Sequence, residues 1–269
     1  MAMCKNGDVT LYYEVHGDGE PLIFVSGLGG GAWSWFMQLP FFQQRYLVIV
    51  FDNRGAGRSS TPAGPYSMED LALDVIAIMD NLRIDQAMVV GVSMGGMIAQ
   101  QLCVIAPERV KGMVLGCTHC GKSQRIPPPG EVMEVLANNE GLSPEEIIDK
   151  NIPILFNKSF VEANPQIIEQ YKRNALSVPP QSPEGFASQI AAIQGFDVCE
   201  KLSTISTPVL IITGKKDTLV PPENSRILHR LIPNSELVEF DDVGHAVHVE
   251  AADMFNKKVD EFFEMRCRT

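Results

Sequence analysis

The residues best suited to covalent chemistry are a serine, an aspartate and a histidine spread widely over this 269-residue chain. Ser93 stands in Gly91-Val92-Ser93-Met94-Gly95-Gly96, directly after an apolar run from Ala87 to Val90. The helical pattern Met97-Ile98-Ala99-Gln100-Gln101-Leu102 follows it. A serine on a tight strand-to-helix turn needs small neighbours, because its backbone is strained and packs closely against adjacent elements. Its hydroxyl then projects from the sheet edge. The Met94 N–H, at the helix N-terminus, is aimed at developing negative charge. A hydroxyl is a poor nucleophile near pH 7; it requires a base, and the base requires an orienting acid.

Of the five histidines, His245 is best placed to be that base. It lies in Asp241-Asp242-Val243-Gly244-His245, after the strand-like Glu236-Leu237-Val238-Glu239-Phe240 and before a final helix. If the strands are parallel, that loop shares a sheet edge with Ser93. His16 and His229 read as surface or packing residues. His119 follows a buried run and borders the expected cleft, but no motif accompanies it. His248 could form a metal pair with His245, yet no third ligand stands at a matching spacing, so no metal site is expected. For the acid, Ile211-Ile212-Thr213-Gly214-Lys215-Lys216-Asp217 puts a carboxylate just past a buried strand. Asp241 and Asp242 share the histidine's own loop and are poorly placed to reach its ring, which leaves Asp217.

The elements that must position these groups are legible in the apolar pattern. Leu22–Val25, Leu47–Phe51, Ala87–Gly91, Val110–Leu115 and Val209–Ile212 are nearly unbroken apolar runs, as in parallel strands covered on both faces. Thr10–Val15 alternates and reads as an antiparallel edge strand. Between these runs lie amphipathic helices, one of them capped by Ser67. Strands alternating with helices give a doubly wound α/β sheet. From Lys122 to Val198 the rhythm breaks into helical stretches punctuated by prolines, with Ser143-Pro144-Glu145-Glu146 as one helix start. This reads as a helical insertion, so residues 1–121 and 199–269 form the core and 122–198 the insertion.

Composition narrows the function. With 22 Lys+Arg against 33 Asp+Glu the formal charge is −11, which argues against nucleic acid and anionic membrane surfaces. No apolar run approaches the length of a transmembrane helix, and the first eight residues lack the apolar stretch of a secretion signal, so a cytoplasmic protein is expected. The six cysteines are scattered rather than arranged as a framework, and reduced, mostly buried thiols are expected. Cys117-Thr118-His119-Cys120 lacks the second pair of a zinc site and the context of a redox dithiol. Trp33, Trp35 and Phe36 read either as packing beneath a loop or, for Trp33, as the acyl side of a pocket.

The order Ser93, Asp217, His245 and the turn around Ser93 resemble the α/β-hydrolase fold superfamily, whose triad runs nucleophile, acid, histidine. The likeness covers nearly the whole chain. It implies a mostly parallel eight-stranded sheet and makes 122–198 a cap. It also implies a second oxyanion donor in Ser26-Gly27-Leu28-Gly29-Gly30-Gly31, where the Leu28 N–H would pair with that of Met94. Many relatives carry histidine where this chain has Ser26, a residue that borders the substrate pocket with Trp33. Gly91 to Gln100, Asp52-Asn53-Arg54-Gly55 and Val220-Pro221-Pro222-Glu223-Asn224 are most similar to the 3-oxoadipate enol-lactonase-like and small carboxylesterase branch.

The resemblance implies a serine esterase or lactonase that needs no metal or organic cofactor and acts on a small molecule. A serine nucleophile excludes the dehalogenase branch, which uses aspartate. Two other readings stand beside it: a slow-turnover ligand receptor on the same scaffold, and a carbon–carbon bond hydrolase using the same triad. Val132, Met133, Leu136, Ile147, Ile154, Leu155, Phe156 and Phe160 suit an apolar pocket roof, whereas Lys150, Lys158 or Arg173 facing inward would bind an acid.

Overall fold

The computed structural model describes residues 2–267. Eight strands form one sheet in the order β1-β2-β4-β3-β5-β6-β7-β8. They are β1 (Ala2–Asn6), β2 (Val9–His16), β3 (Glu20–Val25), β4 (Tyr46–Phe51), β5 (Ala87–Val92), β6 (Val110–Gly116), β7 (Val209–Gly214) and β8 (Ser235–Phe240). β2 is antiparallel to β1 and β4; every other pairing is parallel. β5 and β7 are buried along their whole length, as runs without a polar face require.

One expectation changes. Thr10–Val15 does lie in an antiparallel strand, but β1 pairs outside it, so β2 is second from the edge. β1 buries only Cys4; a strand with one buried side chain carries too little apolar signal to be read from its pattern.

The helices cover both faces. α1 (Leu39–Phe42), α2 (Met68–Asn81) and α3 (Met94–Ile105) belong to the first half, and α4 (Gly130–Ala137), α5 (Pro144–Leu155), α6 (Lys158–Ala163), α7 (Pro165–Leu176) and α8 (Pro183–Gly195) lie between β6 and β7. α9 (Glu223–Leu231), α10 (Val247–Glu250) and α11 (Ala252–Arg266) complete the chain. Ser67 and Ser143 both close capping boxes, with Asp70 and Glu146; each satisfies two N–H groups that a helix start leaves unpaired. Leu71, Val75, Ile98 and Leu228 join the core on one face of the sheet, while Trp35, Phe42, Phe255 and Phe263 fill the other. A third cluster, Ile152, Phe156, Ile168, Ala246 and Val249, ties α5 and α7 to the segment after β8. Among the described residues no helix is long and apolar enough to cross a membrane.

β3 stands at the point where the winding reverses, with β4 on one side and β5 on the other. Clefts form at such points, beyond the carboxyl ends of the strands. The registers align those ends: Val25 opposite Gly91, Val92 opposite Gly116, Gly116 opposite Ile212, and Gly214 opposite Phe240. The loops that carry Leu28, Ser93, Asp217 and His245 therefore leave the same edge.

Candidate active site

Ser93 connects β5 to α3 with φ 60° and ψ −124°, a left-handed conformation that costs a non-glycine residue energy and persists only where its surroundings enforce it. Those surroundings are visible. The Ser93 N–H donates to Gly116 C=O (2.8 Å) and the Thr118 hydroxyl donates to Ser93 C=O (2.8 Å). The glycines on either side are steric necessities: a Cβ on Gly91 would overlap the Gly95 carbonyl, and one on Gly95 the Val25 carbonyl.

Three residues past β7, Asp217 is buried, and its Oδ1 accepts the N–H groups of Leu219 (2.9 Å) and Val220 (2.8 Å). Its Oδ2 lies 2.8 Å from Nδ1 of His245, 28 residues on. This contact sets the imidazole's orientation and, with Nδ1 carrying the proton, leaves Nε2 as the basic nitrogen. Asp241 instead pairs with Lys215 at 2.6 Å and is exposed. The Ser93 hydroxyl makes no hydrogen bond to a described residue.

The loop after β3 lies against Ser93, since a Cβ on Gly27 would stand 3.1 Å from Ser93 Cβ. The Gly30 N–H donates to Gly27 C=O at 3.1 Å, and Gly29 has φ +67°, the pattern of a type II turn with glycine where φ must be positive. Among the described residues, neither the Leu28 nor the Met94 N–H has a protein acceptor. Ser26, buried at the root of this loop, accepts from Trp35 Nε1–H (2.8 Å) and donates to Gly31 C=O (2.9 Å). A serine thus braces the loop from within. Asn53 Nδ2 donates to the Ser26 carbonyl (3.0 Å) from below, and the Gly29 N–H donates to Gln189 Oε1 (3.0 Å) above.

Other candidates separate clearly. Trp33 packs edge-on against Tyr171 of α7, centroids 5.2 Å apart, and Tyr171 in turn meets Phe156 at 5.1 Å. Burial pushes the Tyr171 hydroxyl up to about 12. Lys150 donates to the carbonyls of Val135 and Asn138, Lys158 is exposed beside Glu162, and Arg173 is exposed. Arg54 forms a buried pair with Asp74 through two 2.6 Å bonds. His248 packs on Trp35 at 4.9 Å, and burial, with His245 nearby, pushes it down to about 3. His119 is held near 4 by burial and then by Arg125, while its Nδ1 accepts the Gly121 N–H at 3.1 Å.

Cys117 extends the site in a way its spacing did not signal. It has φ 45° and is fully buried, with Sγ, an Asp217 oxygen and a His245 nitrogen within 4.8 Å of one another. Asp217 and His245 are already bonded to each other, so these atoms are partners rather than free ligands. Burial pushes the Cys117 thiol well above its ordinary range, and the Asp217 charge adds to that. Thr118, Gln189 and Glu250 likewise carry no sequence signal; they are polar residues in apolar stretches and gain meaning only from their partners. The expectation of six reduced thiols is corrected. Cys120 and Cys199 are disulfide-bonded, because the chain leaves β6 and returns toward β7 through the same neck, where Gly121 bridges Asp197.

A family model described as alpha/beta hydrolase fold matches residues 20–252. The chain belongs to this family. It is 35% identical over 257 residues to 3-oxoadipate enol-lactonase 2 of Acinetobacter baylyi, covering 94% of this chain and 92% of that protein. It is 30% identical to a putative carbamate hydrolase, RutD, of Azorhizobium caulinodans, over 96% of each chain. Among solved structures, the enol-lactonase of Burkholderia xenovorans superposes with a TM-score of 0.87 at 26% identity, over 98% of this chain and 100% of that one. The α/β-hydrolase reading of the sequence and its eight-stranded sheet therefore hold.

Proposed function

We propose that the protein is a serine hydrolase that cleaves a carboxylic ester or lactone of a small molecule through an acyl-enzyme. The observation that carries this is the 2.8 Å contact between His245 and Asp217 at the edge where Ser93 sits on its strained turn. Ser93 Oγ attacks the carbonyl carbon while His245 Nε2 takes its proton. The Leu28 and Met94 N–H groups receive the oxyanion. His245 then protonates the leaving alcohol, and afterwards it activates water to release the acid. Asp217 fixes the tautomer and stabilises the imidazolium. Residues 122–198 act as a cap over this edge, with Trp33 and Tyr171 on the pocket wall and Ser26 beneath the oxyanion loop. The lactonase relatives support the ester or lactone class. The apolar cluster of Ile152, Phe156 and Ile168, with Lys150 bonded to backbone carbonyls and Lys158 and Arg173 exposed, favours an uncharged substrate.

The test is turnover of neutral p-nitrophenyl esters and labelling by an organophosphonate probe. Both are expected in the native protein and lost in Ser93→Ala. Persistence of both in the variant overturns the assignment, and cleavage of β-diketones in preference to esters would move it to carbon–carbon hydrolysis.

A further inference from the structure

The side-chain amide of Gln189 is fully buried at the junction of three segments that are distant in the chain. Its Oε1 accepts from the Gly29 N–H at 3.0 Å and from Gln181 Nε2 at 2.9 Å; its Nε2 donates to the Arg54 carbonyl at 2.8 Å. Gln181 Nε2 also donates to Gly55 C=O at 3.0 Å, which fixes which way the two amides face. Both glutamines lie between β6 and β7, Gln189 within α8 and Gln181 just before it. Gly29 belongs to the turn after β3, while Arg54 and Gly55 follow β4.

Gly29 is the third residue of the type II turn whose second residue is Leu28. In such a turn the peptide between the two central residues rotates easily, and its orientation distinguishes type II from type I. The Gly29 N–H is part of that peptide. An acceptor fixed on it holds the plane and the ψ of Leu28, and so ties down the tip of the loop, next to the peptide that carries the Leu28 N–H. Nothing else bonded to this peptide does so: Ser26, Asn53 and the Gly30–Gly27 bond hold the root and the closing end of the loop.

We propose that Gln189 is a positioning residue for the oxyanion site: the helical segment over the sheet supplies the amide that anchors the Leu28–Gly29 peptide at the tip of the loop, so the loop that presents the Leu28 N–H is held in place only when that segment is seated. This rests on the serine-hydrolase reading above. It adds that the cap completes the catalytic machinery as well as roofing the pocket. Lost alignment of one oxyanion donor weakens binding of the tetrahedral species more than binding of the planar substrate, so the effect falls on kcat.

The experiment compares wild type, Gln189→Met, Gln189→Glu and Ser93→Ala. Gln189→Met keeps the volume and removes the hydrogen bonds; Gln189→Glu restores an acceptor for Gly29. Each is measured for kcat and KM on a neutral p-nitrophenyl ester, for affinity toward an alkyl boronic acid that forms a tetrahedral adduct on serine, and for Tm. Expected for Gln189→Met is a fall in kcat of about 10–100-fold, below the full loss of a donor. Boronate affinity is expected to fall by the same factor with KM changed less than about twofold, and Gln189→Glu to recover part of both. A purely structural role would lower Tm and leave kcat and boronate affinity per folded molecule at wild-type values, and that result overturns the proposal.

If Gln189→Met does not fold, the half-buried Gln181→Ala, which frees the Gln189 amide to turn, carries the same comparison with a smaller factor. Turnover that is indifferent to Ser93 defeats the hydrolase reading and this inference with it. Turnover that needs Ser93 but ignores both glutamines defeats the inference alone.

Discussion

The carboxylate of Glu250 accepts the N–H of Gly244 at 3.0 Å, one residue before His245. Its second oxygen accepts the Asn157 N–H at 3.2 Å, and the Ala246 N–H donates to Leu155 C=O at 2.8 Å. The histidine loop is thus tied on both sides of His245 to the junction of α5 and α6.

Burial pushes the Glu250 carboxyl up to about 7 from its ordinary 4.5, against the two N–H bonds that lower it. In the unfolded chain the group ionises near its ordinary value. Between the two values the native state holds a proton that the unfolded state has released, so stability falls as pH rises through this window and the cost is complete above the upper value. Glu250→Gln is uncharged throughout. Its stability relative to wild type is therefore expected to rise between about pH 4.5 and 7.5, by an amount on the order of 1–2 kcal/mol after allowance for partial exposure, with Tm rising in step. A pH-independent difference in thermal melts would contradict the assignment.

Asp217→Asn keeps the shape of the site and its distance to the ring. An amide nitrogen facing Nδ1 forces the wrong tautomer, so kcat is expected to fall about 10³–10⁴-fold with little change in KM. Steady-state kinetics on the ester used for wild type decides it. A loss below tenfold would mean that His245 does not depend on this partner.

Ser26→Ala leaves the Trp35 indole N–H without its buried partner, while the Gly31 carbonyl keeps the Ser34 N–H and hydroxyl. An unpaired buried group costs about 1–3 kcal/mol, and denaturant unfolding should register that loss. Because the same serine supports the loop that carries Leu28, kcat should fall as well. An unchanged midpoint together with unchanged kcat would remove Ser26 from the bracing of this loop.

Cys4, Cys103, Cys117 and Cys267 are free and buried, while Cys120 and Cys199 are joined. Under native conditions iodoacetamide should modify none of them on the timescale that labels an exposed thiol, since thiolate character and access are both suppressed. In denaturant without reductant, thiol titration should find the four free groups, and all six after reduction. Six before reduction would show the pair to be reduced in solution.

What the chain disclosed in advance follows a physical boundary. As candidates, Ser93 was legible because glycines and an apolar strand sit beside it in the sequence, and Asp217 and His245 because each follows a recognisable strand. The central strands were legible because burial on both faces leaves an unbroken apolar run. β1, Cys117, Thr118, Gln189 and Glu250 were not. β1 buries a single residue, and the others owe their roles to partners brought near only by folding: Gly29 is 160 positions from Gln189. The Cys120–Cys199 bond is another such case, its halves separated by 79 residues.

That bond closes a doorway. The Val198 N–H donates to Cys120 C=O at 2.9 Å and the Lys122 N–H to Phe196 C=O at 3.1 Å, so the long helical excursion departs and comes home at a single spot. For the sheet, such an excursion has no net length, and its size makes no demand on the spacing of β6 and β7. Helices there can be traded, shortened or enlarged in the course of descent while the strands stay put. The amides that reach down to Gly29, Arg54 and Gly55, and the ties from Leu155 and Asn157 to the histidine loop, mark where inherited freedom of shape ends.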